Sequence, residues 1–61
     1  MEVKEIIPNL NKMVRYQDSV SYTLSGAIIR RRTDGSVYYE AELLDKNKHS
    51  VMIVKLEDVK V

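Results

Sequence analysis

VSYTLSGAIIRRRTDGSVYYEAEL, residues 20–43, decides the fold, and Asp34-Gly35 within it organises the reading of the rest. Before this dipeptide, Val20, Tyr22, Leu24, Gly26 and Ile28 alternate with Ser19, Ser21, Thr23, Ser25 and Ala27. After it, Val37, Tyr39, Ala41 and Leu43 alternate with Ser36, Tyr38, Glu40 and Glu42. Successive side chains of a strand leave on opposite faces, so each run buries one face and wets the other. Asp-Gly between two such runs favours a two-residue type I′ turn, with positive φ at both central positions. That turn sets Thr33 against Ser36, Arg32 against Val37, Arg31 against Tyr38, Arg30 against Tyr39, Ile29 against Glu40 and Ile28 against Ala41. The expected core face carries Ile28, Ala41 and Leu43. The opposite face carries Ile29, Arg31, Tyr38, Glu40 and Glu42. A one-residue slip would bury the glutamates, so the register is expected to be well determined.

The chain has 61 residues, enough for one domain with a barely sufficient core. It contains no cysteine, so disulfides, thiolate chemistry and cysteine-held metals are excluded, and a cytoplasmic setting of bacterial type is expected. Apolar residues at 44% and charged residues at 31% describe a folding chain rather than a disordered one. The formal net charge of +1 is too small to imply nucleic acid by itself. No apolar run approaches the ~20 residues needed to cross a bilayer. Met1-Glu2-Val3-Lys4-Glu5 lacks the apolar centre of a signal peptide.

Outside the central hairpin the signals are shorter. Val3, Ile6 and Ile7 have helical spacing, and Pro8 is expected to stop any helix there. Asn9-Leu10-Asn11 reads as a connector, so residues 1–11 form an N-terminal extension and residues 12–61 the β-domain. Lys12 to Tyr16 is a short strand with Val14 and Tyr16 on one face. Gln17-Asp18-Ser19 is a turn into a long strand from Val20 to Arg32, in which Gly26 marks a bulge or bend. Asp45-Lys46-Asn47-Lys48 is a second turn. Val51-Met52-Ile53-Val54 is apolar without alternation; either parity gives a plausible core, and both faces are expected to be covered. Leu56 to Val59 forms a single 3-10 turn before a last short strand at Lys60-Val61.

This order, a short strand, two hairpins, one helical turn and a closing strand, resembles a Src-homology-3-like barrel across roughly Lys12 to Val61. Ile53-Val54-Lys55-Leu56-Glu57-Asp58-Val59 resembles the closing strand, turn and strand start of such folds. The resemblance implies an all-β, five-stranded small barrel with a single 3-10 turn before the last strand, a fold used by many small bacterial binding modules. The eukaryotic peptide-binding signatures are missing, since the chain has no Trp and no paired aromatics in its first loop. A proline-peptide groove is therefore not implied.

Few residues carry chemistry. Arg30-Arg31-Arg32, with Lys12, Arg15 and Tyr38, is the one basic cluster with an aromatic among it. Nucleic-acid binding uses cations on phosphates and aromatic faces under bases. Alternation sends Arg31 to the face opposite Arg30 and Arg32, with Arg30 expected along Tyr39 and Arg31 on Tyr38. Glu40 and Glu42 share a strand face at ~7 Å, a spacing suited to acid–base catalysis only inside a cleft. His49, beside Ser50 and near Asp45, reads as a histidine flanking a turn. Tyr22 and Tyr39, joined by Tyr16, belong to the core phase, and Tyr38 points outward.

The expected function is therefore a non-enzymatic binding module that engages a protein partner or a second copy of itself. Its candidate surface is Ile29, Arg31, Tyr38, Glu40 and Lys55. The alternative is a nucleic-acid-binding barrel using Arg15, Arg30, Arg31, Arg32 and Tyr38. No cofactor, metal, membrane or small-molecule substrate is expected.

Overall fold

A computed structural model describes residues 1–17, 20–47 and 49–61. A 3-10 turn at Val3–Glu5 runs into the short helix α1 (Ile6–Asn9). The strands β1 (Met13–Tyr16), β2 (Val20–Arg31), β3 (Val37–Leu44) and β4 (Val51–Lys55) follow, then a 3-10 turn at Leu56–Asp58 and β5 (Val59–Lys60). All pairings are antiparallel. They make one five-stranded sheet in the order β4-β3-β2-β1-β5. Among the described residues, β4 and β5 are its two open edges. Asp18, Ser19 and Lys48, part of the two turns expected from the sequence, lie outside the described residues.

The β2–β3 loop is not the expected type I′ turn. The Arg32 N–H donates to the Ser36 carbonyl at 2.8 Å, and the Gly35 N–H to the Arg32 carbonyl at 3.0 Å. Thr33, Asp34 and Gly35 thus form a three-residue loop. Only Gly35 in it has positive φ, at 92°, the arrangement of a type I turn closed by a left-handed glycine. Asp34 stabilises it by accepting the Ser36 N–H at 2.8 Å and the Ser36 hydroxyl at 2.7 Å. Such side-chain closure of a turn is typical of Asp.

The extra loop residue moves the pairing by one. Arg31 faces Val37, Arg30 faces Tyr38, Ile29 faces Tyr39, Ile28 faces Glu40 and Ala27 faces Ala41. Ile28 therefore leaves the expected core set and joins the glutamate face, and Ile29 moves to the face of Tyr39 and Ala41. A bulge between Leu24 and Gly26 moves the register by one further residue, which restores the face alternation, so that Leu24 lies opposite Leu43. The Ser25 hydroxyl anchors the bulge on the Glu42 carbonyl at 3.1 Å and the Glu42 carboxylate at 2.9 Å.

The core is Val14, Leu24, Ala41, Leu43, Leu56 and Val59, with Met1, Ile6, Tyr16, Tyr22, Tyr39, Met52 and Val54 packed against it. The parity left open in β4 resolves with Met52 and Val54 inward, while Val51 and Ile53 stay exposed. The tyrosines divide as their alternation implies: three lean on the core, and Tyr38 does not. Tyr16 and Tyr22 meet edge-to-face at 6.3 Å. Pro8 does not stop the helix, which continues to Asn9. In the first helical turn a backbone N–H has no intrahelical partner, so proline loses nothing there. The Met1 amino group reaches the carbonyls of Leu56, at 3.2 Å, and Val59, fastening this segment under the closing 3-10 turn.

Candidate binding surface

Strand alternation divides the candidate residues between two faces. Tyr38 and Glu40 lie on the face of β3 opposite the core, with Arg30 across from Tyr38 and Lys55 across from Glu40. Ile29 and Arg31 lie on the other face, opposite Tyr39 and Val37. The expected surface is thus brought together for Tyr38, Glu40 and Lys55, and not for Ile29 and Arg31. Ile29 is nonetheless 70% exposed, because the hairpin extends past the core it would cover.

The arginines are divided too: Arg30 and Arg32 meet at Tyr38, while Arg31 lies on the other face. Arg30 donates through Nε to Glu40, a bond that also holds the guanidinium protonated further above its usual range. Arg32, rather than Arg31, stacks on Tyr38, with its guanidinium carbon 4.2 Å from the ring centre. Arg30 therefore runs along the Tyr38 face and not along Tyr39. Arg15 sits opposite Ser21 and Lys60. Ser21 is nine residues along β2 from Arg30, about 30 Å of extended strand. No single basic patch forms from Arg15, Arg30, Arg31 and Arg32.

The carboxylates are engaged as well. Glu40 holds Arg30, and Glu42 accepts from Ser25. Asp34 is held below the usual carboxylate range by the Ser36 hydroxyl and N–H. The His49 N–H donates to the Asp45 carboxylate at 2.9 Å, a contact made by its backbone and not its ring. Among the described residues no cluster of three or more His, Asp or Glu could hold a metal, and no helix is long and apolar enough to cross a membrane.

Tyr38, Glu40 and Lys55 line an open groove of about 510 Å³ together with Met1, Glu2, Val3, Arg32, Tyr39, Leu56 and Glu57. The contribution of residues 1–3 was not visible in the sequence, since it depends on the N-terminal segment returning to the 3-10 turn. Next to the groove runs β4, with Val51 at 57% and Ile53 at 43% exposure. The non-alternating apolar run was the sequence signal for that strip. Comparison of the chain with protein families, curated proteins and solved structures finds no match.

Proposed function

We propose that this chain is a non-enzymatic, Src-homology-3-like binding module that engages protein, its own copy included, through β4 and the adjoining Tyr38–Glu40–Lys55 face. The order of elements supports the barrel reading: a four-strand meander, one 3-10 turn, and β5 returning beside β1. The bulge in β2 supports it too, because a bent long strand can serve both halves of a small barrel.

The observation that carries the interaction reading is the exposed apolar edge. β4 is an open edge among the described residues, and Val51 and Ile53 are exposed on it. Natural sheets protect open edges with central charges, prolines, bulges or very short strands. β4 has none of these in its first four residues. Nucleic-acid binding is disfavoured by the separation of Arg15 and Arg31 from Arg30 and Arg32 and by the engagement of Arg30 and Arg32 within the protein.

Fluorescence anisotropy with labelled single-stranded and duplex DNA and RNA, between 50 and 200 mM salt, tests this reading. Weak binding with no saturation below roughly 100 µM is expected. Saturable binding that falls steeply with salt, as counterion release requires, would overturn it in favour of nucleic acid.

A further inference from the structure

We infer that the occupant of the β4 edge is a second copy of this chain, added antiparallel about a two-fold axis through Ile53. The inference rests on the interaction reading and specifies its geometry. Its basis is the direction in which the β4 backbone groups point.

The Asp45 N–H donates to the Ser50 carbonyl at 3.2 Å, extending the register in which Leu43 faces Met52 and Ala41 faces Val54. Hydrogen-bonded and non-bonded pairs alternate in an antiparallel ladder. Ser50, Met52 and Val54 therefore turn their N–H and C=O groups toward β3. The far side of β3 agrees: Arg32 bonds Ser36 across the hairpin, so Tyr38, Glu40 and Glu42 bond toward β2 and the odd-numbered residues toward β4. Val51, Ile53 and Lys55 are left with backbone donors and acceptors directed at the open edge.

A two-fold axis through Ile53 pairs Ile53 with its own copy, Val51 with the copy's Lys55, and Met52 with the copy's Val54. Every outward-directed residue of β4 then meets another outward-directed residue, giving about six backbone hydrogen bonds, two per bonded pair. Shifting the axis by one residue in either direction leaves only two bonded pairs. No like charges face each other, and the Lys55 stem covers the exposed Val51 of the copy. The other edge offers no equivalent, because β5 has only two residues.

The accessible surface is 4502 Å² for a mass of 7.1 kDa, against about 4,100 Å² for a folded monomer of that mass. The excess is about a tenth of the surface. A standard interface takes about 800 Å² from each partner, and a five-residue edge supplies less, which places the contact among weak, transient associations.

The chain is free of cysteine, which makes a single introduced thiol diagnostic. Bonded antiparallel pairs place Cα atoms ~5.5 Å apart, within disulfide reach. Ile53→Cys is expected to form a disulfide dimer under mild oxidation at high protein concentration, and Val51→Cys is not. Sedimentation equilibrium of wild type from roughly 10 µM to 1 mM is run beside it. Ile53→Pro is expected to keep the monomer folded, because the Ile53 N–H points away from β3, while abolishing association. A wild-type dimer that forms without Ile53→Cys cross-linking, or that survives Ile53→Pro, would overturn the β4 axis and leave the interaction reading standing. A wild-type monomer at 1 mM would overturn self-association itself.

Discussion

Leu43→Ala tests the packing account where the structure is most specific. Leu43 is fully buried, lies on the interior strand β3, and is flanked by Leu24 on β2 and Met52 on β4. Leucine-to-alanine changes at such sites cost about 2.7–5 kcal/mol, the lost transfer energy plus the cavity left behind. A small open sheet collapses around a cavity more readily than a large core, so about 3 kcal/mol is expected. For a chain of 61 residues the whole stability is about 3–9 kcal/mol, so this one change removes a third or more. With an unfolding entropy of about 0.13 kcal/mol/K for this length, the melting temperature should fall by roughly 20–25 °C. Urea unfolding followed by far-UV circular dichroism and tyrosine fluorescence reads the change. Leu44→Ala is the control, since its half-buried side chain points to the opposite face; it should cost under about 1.5 kcal/mol. A Leu43→Ala loss below about 1 kcal/mol, or equal losses at both positions, would refute the face assignment.

Gly35→Val should destabilise by about 1–2 kcal/mol from backbone strain alone, because φ is +92° although a Cβ there meets nothing within 4 Å; chemical denaturation checks it. Gly26→Ala should be tolerated or slightly stabilising, within about 1 kcal/mol, because the added Cβ finds only ordinary contact with Glu42 at 3.7 Å. Tyr39→Ala should cost about 3 kcal/mol as the loss of a core-packed aromatic, and Tyr38→Ala under about 1 kcal/mol. The depressed carboxyl of Asp34 stabilises the β2–β3 loop above the ordinary Asp range, and that contribution is lost as pH falls through its lower folded value. Amide chemical shifts of Gly35 and Ser36 should therefore titrate at a pH below that of an unperturbed aspartate, and Asp34→Asn should remove the transition.

The alternation before and after Asp34-Gly35 made both strands of the central hairpin legible, and the tyrosine parity with them. Loop length was less visible. A two-residue and a three-residue closure share the same dipeptide, and the choice depends on Asp34 capping Ser36 rather than on intrinsic turn preference. That single extra residue transfers Ile28 and Ile29 between faces, which is why only part of the candidate surface assembled. Gly26 drew attention to the region of the bulge, but the irregularity sits at Ser25, whose hydroxyl replaces the broken ladder on Glu42. The parity of Val51 to Val54 was undetermined because every residue in the run is apolar; pairing with Ala41 and Leu43 decides it. The groove depends on a long-range contact between Met1 and residues 56–59, which no local pattern encodes.

Amide hydrogen exchange along β4, measured by NMR at low and high protein concentration, tests the open self-complementary edge most directly. In dilute solution Met52 and Val54 should be protected through their bonds to β3, while Val51, Ile53 and Lys55 exchange rapidly. Near 1 mM, protection should rise at Val51, Ile53 and Lys55 alone. Equal protection of all five residues at dilution, or slow exchange at Ile53 beside fast exchange at Met52, would contradict it.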